Sequence, residues 1–168
     1  MRFAAPAAAL AAVLAMTASV GQSADHVTDP RAAALVAEGR AALDAGQPDK
    51  AVDAFEAALT IDPAATGIFL DLAEAARSNG LQGKAIRYYR EALAREPDNL
   101  AALSGEGAAL VEKGAVEKAR RNLARLQTMC GEKCAETRDL AAAIAKGPQA
   151  RVLTAEAVMP DTVVTQQN

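Results

Sequence analysis

Residues 66–99 read TGIFLDLAEAARSNGLQGKAIRYYREALAREPDN, and the chain on either side repeats their pattern. Phe69, Leu72, Ala73 and Ala76 fall at i, i+3, i+4 and i+7, which is one face of a helix. Asn79-Gly80 stops that helix, because glycine takes the left-handed backbone at a helix C-terminus without steric cost. Ala85, Tyr89, Ala92 and Leu93 then line the inner stripe of a second helix. Pro97 lies just past its end, where a proline cannot continue it. Two short antiparallel helices are the smallest reading that accounts for the stretch.

A step of 34 residues carries this unit outward in both directions. It links Gly46, Gly80 and Gly114; Ala51, Ala85 and Ala119; and Phe55, Tyr89 and Leu123. It also joins Ala58, Ala92 and Leu126; Pro63, Pro97 and Gly131; Leu35, Phe69 and Leu103; and Gly39, Ala73 and Gly107. Small residues at 51, 85 and 119 let the helices of a hairpin approach closely, while Phe55 and Tyr89 fill the space toward the next unit. The helices are expected over 30–45, 48–61, 65–79, 82–95, 98–113 and 116–129, with a seventh at 134–146.

With small and large apolar residues at fixed offsets of this period, residues 30–131 resemble the tetratricopeptide repeat family. The units are 32–65, 66–99 and 100–131. The third departs from the pattern, with Leu126 where a small residue is usual and Gly131 in place of proline. A terminal unit whose outer surface meets a cap would depart in this way. The resemblance implies an all-α, right-handed solenoid of three helix-turn-helix units, closed by a capping helix at 132–147. Leu140, Ala143 and Ile144 share one face of that helix.

The N-terminus follows different rules. Arg2 is followed by an uncharged run from Phe3 to Val20 and then by small residues to Ala24, the layout of a secretory signal peptide over 1–24. The alternative is an uncleaved anchor, for which the alanine-rich run makes a weak span. Both place the domain outside the cytoplasm, as a periplasmic or secreted protein. Residues 25–29 read as a linker holding His26, the one histidine, with Asp29 as N-cap and Pro30 in the first turn of the first helix. Residues 148–168 read as a flexible tail.

Composition narrows the function. Hydrophobic residues make up 51% of the 168, so a core is available, but there is no Trp and only three Phe and two Tyr. Alanine-rich, aromatic-poor cores suit close-packed helices better than sheets. Without residues 1–24 the chain keeps 17 basic against 21 acidic residues, a net charge of −4. That is not the footprint of a nucleic-acid binder, and the basic run Lys118, Arg120, Arg121 and Arg125 reads as a solvated helix face. A single histidine in a linker supports no Ser-His-Asp or Cys-His constellation, and the glycines sit at helix ends and in helices, with no phosphate-binding loop. No catalytic residue, cofactor or metal site is expected, since His26, Cys130 and Cys134 offer too few ligands.

Cys130-Gly131-Glu132-Lys133-Cys134 is the sharpest local feature. In an exported protein such a pair is more often a disulfide than a dithiol. Gly131 ends one helix before Cys134 begins the next, so the intervening turn can bring the sulfurs within reach. Closing this loop would add roughly 2 kcal/mol and staple the cap to the third unit. A redox-active pair is the functional alternative, though it lacks C-x-x-C spacing and a neighbouring histidine.

The family resemblance implies a concave face, lined by the first helix of each unit, that holds a peptide or helix of another protein. Val36, Arg40, Leu43 and Asp44 would come from unit one; Leu70, Asp71, Glu74, Arg77 and Ser78 from unit two; and Ala101, Ser104, Ala108, Val111 and Glu112 from unit three. Chaperone-binding members clamp a terminal carboxylate with Lys, Asn and Arg. This chain has Val36, Arg40, Asp71, Ala101 and Gly105 there, so that clamp is absent. The groove reads instead as small and apolar with charges of both signs, suited to an apolar segment of an envelope protein. Two further readings remain: a thiol-disulfide switch acting through Cys130 and Cys134, and end-to-end self-association of a weakly capped solenoid.

Overall fold

The computed structural model describes residues 26–148, which form seven α-helices with no strand among them. These are α1 (Pro30–Asp44), α2 (Pro48–Ile61), α3 (Thr66–Ser78), α4 (Gln82–Arg95), α5 (Leu100–Glu112), α6 (Val116–Cys130) and α7 (Ala135–Lys146). The signal reading of residues 1–24 and the tail reading beyond Pro148 fall outside the described residues. Every helix end lies within two residues of its sequence expectation.

The turns explain why the helices stop where they do. Gly46, Gly80 and Gly114 have φ of 68°, 70° and 85°, the left-handed region that costs other residues most. Around each, two amides close back onto the preceding helix. At the second turn, Gly80 donates to the Arg77 carbonyl and Leu81 to that of Ala76, both at 2.8 Å, and the other two turns repeat the arrangement. This pairing satisfies carbonyls that a helix end otherwise leaves bare.

Each hairpin packs on the next. α1 pairs with α2, α3 with α4 and α5 with α6, while α2 meets α3 and α4 meets α5. First helices also touch in sequence, α1 to α3 to α5 to α7, giving an all-α solenoid with one layer of first helices and one of second helices. Ala51, Ala85 and Ala119 are each 0% exposed, as their role at the closest approaches requires. Gly39 serves the same end, since a Cβ there would lie 2.4 Å from the Phe55 ring.

The departure at Leu126 now has its cause. Leu126 is fully buried in a cluster with Leu103, Leu110 and Leu140, and α7 packs against both α5 and α6. Gly107 makes room for Leu140, whose side-chain carbons come within 2.5–3.1 Å of where a Cβ would stand. Moreover, α7 is more than a lid. Cys134, its N-cap, stands 34 residues after Leu100 and 68 after Thr66, so α7 occupies the place of a fourth unit's first helix.

At the other end, the linker is tied down by a buried carboxylate. Asp62 accepts from the Asp29 amide at 2.9 Å and lies 2.8 Å from His26 Nε2. The Asp29 amide, and then the His26 ring, hold the Asp62 carboxyl below the usual carboxylate range. Asp29 in turn caps α1 by accepting from Arg31 N at 2.8 Å.

Candidate functional site

Two open hollows run along the layer of first helices. One, of about 500 Å³, lies between α1 and α3 and is bordered by Val36, Ala37, Arg40, Ile68 and Asp71, with His26 and Thr28 at its end. The other, of about 380 Å³, lies among α3, α5 and α7 and is bordered by Leu70, Glu74, Arg77, Tyr89, Ser104 and Asp139. Asp71 borders both, so the two hollows adjoin along the first helices.

Their charged residues are organised across the units. Arg40 Nε and Nη2 each donate at 2.9 Å to the two carboxylate oxygens of Asp71, tying α1 to α3. That bidentate bond outweighs desolvation and raises the Arg40 pKa above its ordinary value. Arg77 donates from Nη2 to Glu112 Oε1 at 2.6 Å and from Nη1 to Glu74 Oε2 at 2.9 Å, tying α3 to α5. Burial opposes its charge, but the Glu112 bond and the Glu74 carboxylate prevail and its pKa rises. The Tyr89 hydroxyl donates to the same Glu74 at 3.1 Å. Burial, followed by the Glu74 charge, pushes the Tyr89 pKa up to about 12, so it remains a hydroxyl at neutral pH. Ser104 Oγ donates to the Glu136 carbonyl at 3.1 Å and fixes α7 against α5.

The expected groove residues fall into three groups. Val36, Arg40, Leu70, Asp71, Glu74, Arg77 and Ser104 border the groove, and Glu112 is joined to it through Arg77. Leu43 and Ala108 are half-buried and border neither hollow, with Leu43 packed on the core of the first hairpin. Val111 requires a correction. It is 2% exposed and belongs to the core cluster that also takes in Leu140, where α7 packs against α5. The groove is also less apolar than its sequence suggests. Glu136 and Asp139 of α7 border it, and sequence reasoning missed both by treating α7 as a cap alone. The signal was present, since the 34-residue step from Asp71 through Gly105 leads to Asp139.

The cysteines meet at the α6–α7 corner. Gly131 has φ of 81°, the Cys130 and Cys134 Cα atoms are 5.7 Å apart, and the sulfurs are in bonding contact. Ligand atoms of Cys130, Cys134 and Glu136 lie within 4.8 Å of one another. On α6, Arg120 pairs with Glu117 at 2.6 Å, while Arg125 bonds the Pro97 carbonyl and stands 3.6 Å from Asp98. Half of the basic run is thus engaged locally.

A tetratricopeptide repeat family model matches residues 2–66, 36–90 and 70–129. The chain belongs to the tetratricopeptide repeat family. This repeat protein shares its fold with the Sgt2 domain of Aspergillus fumigatus, at 25% identity and a TM-score of 0.64, over 71% of this chain and 81% of that one. The first such domain of Spaghetti (RPAP3), bound to the HSP90 peptide SRMEEVD, gives 22% and 0.61 over 72% and 98%. The Yersinia enterocolitica secretion chaperone SycD, in complex with a peptide of the translocator YopD, gives 19% and 0.59 over 68% and 86%. A comparison with curated proteins returns no match. The family is in general a non-catalytic protein-interaction module.

Proposed function

We propose that this repeat protein is a non-enzymatic scaffold that holds a segment of another exported protein along its first helices. The observation that carries the reading is the pair of adjoining hollows between Val36 and Asp139, which are large enough to seat side chains of a bound segment. Solved repeat domains of the same fold, among them those of RPAP3 and SycD, hold peptides of other proteins. Export rests on the charge-free run of residues 3–20 behind Arg2. Among the described residues no helix is long and apolar enough to cross a membrane.

A photo-crosslinking amino acid placed at Leu70 or Ser104, and for comparison at Arg87 or Arg121 on the second helices, tests this in the native cell. Adducts with one partner are expected from Leu70 and Ser104 and not from the other two sites. Adducts confined to Arg87 and Arg121 would remove the groove from the account.

A second reading draws on the corner at Cys130 and Cys134. These residues anchor α7, and α7 borders the groove, so a bond that opens on reduction would loosen one wall. Thiol counting across a range of redox potentials separates the two. An inert, fully oxidised pair fits the scaffold, and a pair titrating near the compartment's potential fits the switch.

A further inference from the structure

We infer that the segment held in the groove is basic, contributing lysine or arginine side chains to the stretch between α3 and α7. The inference rests on the groove reading above and names the chemistry of its occupant. The chain is close to neutral overall, yet beyond the first unit, where α1 is balanced and α2 acidic, its charge is sorted by layer. Helices α3, α5 and α7 carry six acidic and three basic residues, whereas α4 and α6 on the opposite layer carry eight basic and two acidic. A basic segment is therefore attracted to one side of the solenoid and repelled from the other, which sets orientation as well as encounter rate.

Within the groove the imbalance is sharper. Asp71, Glu74, Glu112 and Asp139 bring four carboxylates, against the guanidinium groups of Arg40 and Arg77. Both arginines already turn toward carboxylates of the groove itself, so they act as struts between units. Asp139 has no cationic partner among the described residues, and neither has Glu136, whose carboxylate lies 2.9 Å from Cys134 Sγ at the α6–α7 corner. The floor beside them is small and apolar, formed by Leu70, Ala101 and Gly105. Such a floor accepts the methylene stem of a lysine or arginine while its charged head reaches the carboxylates at the rim. An acidic peptide would meet like charge there and find no free clamp.

A random peptide library displayed on phage and selected on the whole chain tests this. Selected sequences should be rich in Lys and Arg, and their affinity should fall as NaCl is raised. Asp139→Lys, verified as folded by circular dichroism, should bind them about tenfold more weakly. Lys84→Glu on the opposite layer should leave binding within about twofold. Acidic or uncharged sequences that lose affinity on Ser104→Trp would overturn the basic occupant and leave the groove reading standing. Peptides indifferent to every groove substitution would overturn both. Salt-sensitive self-association of the chain, abolished by Asp139→Lys, would assign the groove to the α4 and α6 face of a second copy and overturn the inference.

Discussion

Phe55→Ala is expected to lower stability by about 3–5 kcal/mol, the range for truncating a buried aromatic. Phe55 is 0% exposed, and its ring lies in the gap that Gly39 leaves open. Around it are Ala51, Ala58, Ile68 and Leu72, residues drawn from both α2 and α3. Alanine at 39 in place of glycine could not refill the space, because the missing ring also bridges the first unit to the second. In a repeat array, where each unit contacts only its neighbours, the loss should be concentrated at the N-terminal end. Urea denaturation followed by hydrogen exchange would show exchange rising first in α1 and α2, with α5 and α6 keeping most of their protection. A loss below about 1 kcal/mol, or a uniform rise in exchange, would contradict the packing described.

Leu140→Ala is expected to cost about 2–5 kcal/mol at the opposite end. Leu140 is fully buried and occupies the hollow over Gly107, in one cluster with Leu103, Leu110 and Leu126. The effect reaches function as well as stability. α7 carries Asp139, so loosening its attachment removes a groove carboxylate from its place. Peptide affinity should therefore fall together with stability. Thermal melts and binding isotherms on the same variant check this, and unchanged affinity in a clearly destabilised protein would detach α7 from the site.

Much of the solenoid was legible because its determinants are local and periodic. Glycines at 46, 80 and 114 sit where the backbone turns left-handed, and the alanines at 51, 85 and 119 sit where helices come closest. Both signals survive in a single sequence because no other residue types do the job as well. Groove composition was less legible. Val111 and Ser104 lie seven residues apart on one face of α5, yet Val111 is buried and Ser104 borders the groove. Packing between α5 and α7 separates wall from core in a way the periodicity of α5 does not record. The ion pairs Arg40–Asp71 and Arg77–Glu112 span 31 and 35 residues, about one repeat, so they depend on the stacking of units and have no signature within one. The apolar face of α7 marks it as a cap. Its polar face, with Glu136 and Asp139, was legible only by extending the 34-residue step past the third unit.

The central claim is that the first-helix groove is where this protein holds its partner. Heteronuclear NMR of the labelled chain, titrated with a lysine- and arginine-rich peptide selected on it, tests that claim most directly. The account predicts that amide shifts concentrate at Leu70, Glu74, Ser104, Gly105 and Asp139, with α2, α4 and α6 little changed. Shifts concentrated on the second-helix layer instead, or spread without regard to either layer, would contradict it.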